Sequence, residues 1–148
     1  MDFQQVVPVV FDLVGIHAHI GSQVFEVGAF PRAVEVLADF AAPFGLAELS
    51  VGGGLGVPYV EGESAPSITE WASGIRAVCE AAGVMASVSA EPGRAIVAAA
   101  AITLYTVGTI KDLPGIRTYV AVDGGMSDNP RPVLYGSGYE TFLPRAAA

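Results

Sequence analysis

Apolar positions along this chain fall into blocks that switch between strand-like runs and helix-like spacing. Val9–Ile20 is apolar and β-branched and ends in His17-Ala18-His19-Ile20-Gly21-Ser22-Gln23, which predicts a strand running into a polar loop. Across Ala29–Phe44 the apolar residues Val34, Leu37, Phe40 and Ala41 recur at helical spacing, and Gly45 offers a C-terminal stop. Leu46–Val51 reads as a short strand that meets Gly52-Gly53-Gly54-Leu55-Gly56 at once. A Pro-, Gly- and acid-bearing loop over Val57–Pro66 follows. Ser67-Ile68-Thr69-Glu70 then has the form of a capping box, opening a helix to about Ala82 with Gly83 as its stop. Val84–Ala90 is the next predicted strand, ending in Glu91-Pro92-Gly93-Arg94.

Up to Arg94 the pattern is thus β-loop-α-β-loop-α-β, with a polar or glycine motif at the end of each strand. Parallel α/β folds have this arrangement, and their ligands sit beyond the carboxyl ends of the strands. Past Arg94 the helical periodicity is lost. Ala95–Ile110 reads as one long buried strand or two with a bend, Lys111–Gly115 as a turn, and Ile116–Val122 as a buried apolar strand. The change near residue 95 marks a boundary between an α/β unit and a β-rich unit.

Composition narrows the function classes. Hydrophobic residues make up 52% of the 148 and charged residues only 15%, a balance suited to strands buried on both faces. Net charge is −8 with no basic cluster, which argues against nucleic acid and anionic membranes as partners. The single cysteine, Cys79, rules out an internal disulfide framework and fits a reducing cytoplasm. Pro8 and Asp12 interrupt an N-terminus without a basic region, against a signal peptide. The longest apolar run, Ala95–Ile110, falls short of the roughly 20 residues a spanning helix needs.

Several strand ends carry candidate chemistry. Gly52–Gly56 can present backbone N–H groups to an anion such as a phosphate, or can be a tight turn without a ligand. Glu91 can hold a ring nitrogen protonated and Arg94 can bind an anion; the pair can equally close a strand end as a local ion pair. His17 and His19, two apart on the predicted strand, face one side. With no third ligand at motif spacing, metal binding is the weaker option, and stacking of one imidazole on a planar cofactor is the alternative. Residues 123–136, Asp-Gly-Gly-Met-Ser-Asp-Asn-Pro-Arg-Pro-Val-Leu-Tyr-Gly, place Arg131 between Pro130 and Pro132. An arginine presented with little loop entropy left to lose suits bidentate recognition of a carboxylate or phosphate, though a solvated arginine in a surface turn has the same pattern. Cys79 and Trp71, within a helical run, read as packing residues, and Lys111 as a solvated turn residue.

Four segments together resemble the diaminopimelate decarboxylase family, fold-type III pyridoxal-phosphate enzymes of lysine biosynthesis. They are Gly15–Gln23, Val51–Gly56, Glu91–Arg94 and Val122–Gly136, and the resemblance spans about Asp12 to Arg145. It implies an α/β fold: part of a TIM-like (β/α) barrel over residues 1–94, then the start of a C-terminal β-domain over residues 95–148. The implied cofactor is pyridoxal 5′-phosphate. His19 would stack on its ring, Ser22 and Gly54 would contact its phosphate, and Glu91 in the Glu91-Pro92-Gly93-Arg94 turn would partner the ring nitrogen. Arg94 would lie at phosphate and substrate, and Arg131 and Tyr135 would bind a substrate carboxylate. The implied reaction is decarboxylation of meso-diaminopimelate, a small amino acid, to L-lysine, in a homodimer.

The sequence also departs from that family. Lys111, the only lysine, matches neither the position nor the context of the family's Schiff-base lysine, and Cys79 does not correspond to its proton-donating cysteine. No residue here is therefore assigned a covalent or proton-transfer role, and no metal is expected. The chain is expected to be an internal piece of such an enzyme, inactive alone, with unpaired strand edges that favour aggregation. Related decarboxylases of arginine or a carboxylated polyamine, or a non-catalytic pyridoxal-phosphate-binding chain, are the competing readings.

Overall fold

Three short parallel strands, linked through helices, organise the first part of the chain. They are β1 (Gly15–His17), β2 (Glu48–Gly53) and β3 (Ser87–Glu91), lying side by side in chain order. The computed structural model describes residues 12–145, which form two units. One runs through Pro58 and resumes over Ser64–Ala98; the other takes Tyr59–Glu63 and the chain from Ala99 on.

Helix α1 (Ala29–Ala41) leads from β1 to β2, and α2 (Ile68–Ala81) from β2 to β3. Each buries a stripe at four-residue spacing: Phe30, Val34 and Ala38 on α1, and Trp71, Ile75 and Cys79 on α2. Positions four apart lie on one helix face, so each helix turns a single apolar side inward. All of these but Ala38 close a core with Val51 and Leu55, in which the Phe30 and Trp71 rings meet edge to face at 5.8 Å. Such a pair contributes about 1 kcal/mol beyond the area it buries. Burial also pushes the Cys79 thiol pKa up, in keeping with a packing role. The predicted capping box is present in both directions: Ser67 Oγ accepts the Glu70 N–H at 3.1 Å, and Glu70 Oε2 accepts the Ser67 N–H at 2.8 Å. A 3₁₀ turn, Ala42–Phe44, extends α1 to left-handed Gly45.

The strand limits differ from those read in the sequence. β1 is only three residues long, and residues 9–11 of its predicted span lie outside the described part. β2 runs on into Gly52 and Gly53, because the glycines permit close approach of the neighbouring chains. A Cβ at Gly53 would collide with the Glu91 carbonyl, and one at Gly52, whose φ is +66°, with the Ala18 carbonyl. Between β2 and β3 the register shifts: Ser50 pairs with Ser89, but Gly53 with Glu91, so β2 carries one extra residue.

Beyond Glu91 the long predicted strand over Ala95–Ile110 is absent. Arg94–Val97 forms a helical turn, α3, whose first N–H groups are taken by the Pro92 and Gly93 carbonyls. The alanines in this run were an ambiguous strand signal, since alanine is the strongest helix former. Strand β4 starts only at Val107 and continues to Leu113, through the predicted turn, so that only residues 114–116 turn. It pairs antiparallel with β5 (Arg117–Val122), where Thr118 Oγ1 donates to Asp112 Oδ1 at 2.6 Å. Contrary to the buried strand read from its apolarity, every residue of β5 is exposed, because a two-stranded ribbon has no layer of its own to cover either face. In the same unit the Tyr59 and Tyr139 rings meet at a tilt of 48° with centroids 5.1 Å apart, and Glu61 N–H donates to Glu140 Oε1 at 2.8 Å. No helix among the described residues is long and apolar enough to cross a membrane.

Candidate cofactor site at the strand ends

The C-terminal ends of β1, β2 and β3 bring together most of the residues singled out in the sequence. β1 stops at His17, so the two histidines do not share a strand face as their spacing suggested; His19 lies in the loop that follows. Its Nδ1 accepts the Gly53 N–H at 3.1 Å. With Nδ1 acting as acceptor, the neutral ring carries its proton on Nε2. The imidazole is thereby tied to the glycine run of the next strand.

Three further contacts hold this rim. Arg94 Nη2, at the start of α3, donates to Ser22 Oγ at 3.2 Å. Glu91, the last residue of β3, accepts from Ser50 Oγ at 3.3 Å and lies 3.4 Å from His17 Nε2, both through Oε1. Gln23 holds a left-handed φ of +61°, uncommon outside glycine. Its side-chain amide accounts for that conformation: Nε2 donates to the Val57 carbonyl at 2.7 Å and Oε1 accepts the Val57 N–H at 3.2 Å. The adjacent Val24 N–H donates to the Gly54 carbonyl at 2.9 Å. Gly54 itself has φ +102°, and a Cβ there would strike the Gly21 carbonyl. The glycine run is thus required first by backbone packing between the two loops.

The sequence pattern gave no sign of Gln23 or Ser50. Neither stands out by type or spacing, and their partners lie 34 and 41 positions away, so only the fold exposes them.

In the second unit, Arg131 and Tyr135 lie on one turn of helix, α4 (Arg131–Tyr135), and not in an extended Pro-rich loop. Pro130 and Pro132 fit there because a helix start leaves N–H groups unpaired in any case. The Arg131 guanidinium carbon lies 5.6 Å from the centre of the Tyr135 ring, and Nη2 donates to Ser137 Oγ at 3.4 Å. Arg131 Nε is buried without a hydrogen-bond partner among the described residues. Asp123 serves the backbone instead. Its Oδ1 accepts the Thr106 N–H at 2.7 Å, which holds its carboxyl below the ordinary aspartate range.

Residues 9–98 match the family model described as pyridoxal-dependent decarboxylase, pyridoxal binding domain. The chain belongs to this family. The diaminopimelate decarboxylase of Synechocystis sp. is 45% identical over 139 residues, covering 87% of this chain and 30% of that protein. The same enzyme from Halalkalibacterium halodurans is 42% identical over 142 residues, with 88% and 32% covered. Among solved structures, diaminopimelate decarboxylase from Helicobacter pylori complexed with L-lysine superposes with a TM-score of 0.74 at 32% identity, covering 86% of this chain and 32% of that one. The chain therefore spans about a third of the length of the relatives it matches.

The cofactor of this family is pyridoxal phosphate, and the donor set on the strand ends fits its chemistry. A hydroxyl and a guanidinium already in contact, Ser22 and Arg94, suit a phosphate. A flat imidazole held through its edge, His19, suits an aromatic ring, and a carboxylate, Glu91, suits a protonated ring nitrogen.

Proposed function

We propose that this chain carries the cofactor-binding strand ends of a diaminopimelate decarboxylase, which converts meso-diaminopimelate to L-lysine and CO₂. The observation that supports this best is the convergence of His19, Ser22–Arg94 and Glu91 on adjacent strand ends, inside the segment that matches the family. The chain up to Arg94 would belong to a TIM-like (β/α) barrel and the chain after it to a β-domain; among the described residues, the α/β pattern before Arg94 and the antiparallel hairpin after it support that division.

Pyridoxal phosphate, when bound, supplies an electron sink for the carbanion left when CO₂ departs. Ser22, Arg94 and Gly54 would hold its phosphate, and His19 would stack on its ring. Glu91, in the turn completed by Pro92 and Gly93, keeps the ring nitrogen protonated. Arg131 offers a fork over the Tyr135 ring, with a buried Nε that has no acceptor among the described residues, and would take the distal carboxylate of the substrate. The family resemblance assigns Arg94 to the substrate as well as to the phosphate. The site has no metal. The enzyme is a cytoplasmic homodimer, with Cys79 a buried reduced thiol.

Lys111, the only lysine, is exposed within β4 of the second unit and is not at the end of β1, β2 or β3. We therefore expect this chain alone to bind pyridoxal phosphate and release no CO₂ from diaminopimelate. Absorbance titration with the cofactor, then borohydride reduction and peptide mass spectrometry, tests this. A titratable change abolished by Arg94→Ala, with Lys111 unmodified, supports the reading. No binding overturns the cofactor assignment, and a pyridoxyl group on Lys111 or released CO₂ overturns the claim that the chain lacks its lysine.

A further inference from the structure

We propose that His17 is a positioning residue for Glu91, holding its carboxylate in the orientation in which it meets the ring nitrogen. The proposal rests on the cofactor reading above and adds to it a residue to which the family resemblance assigned no role.

The three neighbouring strands each contribute one group. His17 closes β1, Ser50 lies within β2 and Glu91 closes β3. The register sets His17 opposite Ser50, and Ser50 opposite Ser89, two positions before Glu91. The extra residue in β2 then brings Glu91 opposite Gly53, and its side chain reaches back to both polar groups. Ser50 Oγ and His17 Nε2 converge on the same oxygen, Oε1, at 3.3 and 3.4 Å. Oε2 is left as the oxygen that can receive the ring N–H.

The exposure of the pair decides what it does. The side chains of His17 and Glu91 are 51% and 58% exposed, so the contact adds little to folding stability. A glutamate that exposed at a strand end would otherwise sample several rotamers, and one hydrogen bond from Ser50 together with the His17 contact on the same oxygen restricts them. The two histidines thus stand differently: His19 accepts from the backbone through Nδ1, while His17 Nε2 lies at ion-pair distance from a carboxylate.

The test uses the full chain and two probes, pyridoxal phosphate and its 1-deaza analogue, in which a C–H replaces the ring nitrogen. Affinities are measured by equilibrium dialysis, and the readout is the preference for the nitrogen-bearing probe. Wild type prefers pyridoxal phosphate, and Glu91→Gln removes that preference. His17→Leu is expected to reduce the preference about fivefold, the size of one exposed charge contact, with affinity for the deaza analogue unchanged. His17→Gln, which restores a donor of similar length, should recover it. Ser50→Ala should shift the preference in the same direction by less, and it serves as the deciding variant should circular dichroism show His17→Leu unfolded. A preference retained in His17→Leu and lost in Glu91→Gln overturns the proposal and leaves the Glu91 assignment standing. A wild-type chain that binds both probes equally overturns the Glu91 assignment, and the proposal with it; one that binds neither overturns the cofactor reading itself.

Discussion

Strand β2 and the β4–β5 hairpin are both rich in apolar residues, yet they meet different fates. In β2, Leu49 is 1% exposed and Val51 6%, with strands on both sides and a helical layer packed against Val51. In the hairpin, Ile110 is 60% exposed and Val120 52%. Apolarity alone does not bury a strand; burial requires a second layer. The first unit supplies one through α1 and α2, whose buried stripes close over Val51 of β2, while every residue of β3 stays exposed. In the second, the hairpin is ordered by its ladder and by the Asp123 clasp at its open end.

Removing core volume is the strongest way to break this comparison. Phe30 is 3% exposed and packs edge-on against Trp71, the only tryptophan. Phe30→Ala is expected to cost about 3–5 kcal/mol, from lost transfer free energy and the cavity left behind. Ile110→Ala in the hairpin should cost no more than about 0.5 kcal/mol. Urea unfolding followed by Trp71 fluorescence measures the first, and the same titration by circular dichroism the second. Equal losses would mean that the hairpin is covered in solution.

Glycine substitutions probe the same contrast at the backbone. A methyl at Gly53 would collide with the Glu91 carbonyl, whereas one at Gly108 in β4 would lie 3.8 Å from the Ala121 carbonyl, an ordinary contact. Gly53→Ala should therefore destabilise the first unit by about 2 kcal/mol through overpacking. It should also shift the His19 imidazole resonances, since the Gly53 N–H donates to His19 Nδ1. Gly108→Ala is expected to change stability by about 0.5 kcal/mol or less. An undisturbed His19 signal in Gly53→Ala would show that the strand ends adjust without affecting the imidazole.

The parts of the fold that were legible in the sequence rest on local rules. The extents of α1 and α2 and the Ser67–Glu70 box are set by signals within a few residues and appear close to where those signals put them. The buried face of α1, however, is Phe30, Val34 and Ala38 rather than the Val34, Leu37, Phe40 and Ala41 read from the spacing, and Phe40 is 56% exposed. The polar motifs at the strand ends were equally visible, because strand-to-loop transitions leave a composition mark. Three features were not legible. The helical turn α3 was hidden because alanine counts as apolar in a strand pattern and as a helix former in a propensity scale. The β2 register shift depends on which backbones approach Gly52 and Gly53, which no local pattern records. The pairing of His17 with Glu91 joins residues 74 positions apart in sequence, so the spacing of His17 to His19 pointed to a shared face that the early end of β1 abolishes.

The smallest effect tests whether local devices or the shared core set the stability of the first unit. Ser67 caps α2 through Oγ, and replacing it with alanine is expected to cost about 1 kcal/mol. The cap also carries a pH signature. The Ser67 backbone N–H, and then its hydroxyl, hold the Glu70 carboxyl below the ordinary glutamate range. A carboxyl whose pKa is lower folded than unfolded binds fewer protons in the folded state, so its contribution is present above the unfolded value, near about 4.3, and is lost as pH falls through the lower folded value. The wild-type chain should therefore lose stability on acidification through that window. Glu70→Gln should lose less over the same range, and Ser67→Ala, which removes the hydroxyl but keeps the backbone N–H, should fall between them. Urea midpoints collected between pH 6 and pH 3 measure this ordering. If all three variants lose stability equally, the box contributes nothing that depends on ionisation, and the acid sensitivity of this unit belongs to its other carboxylates.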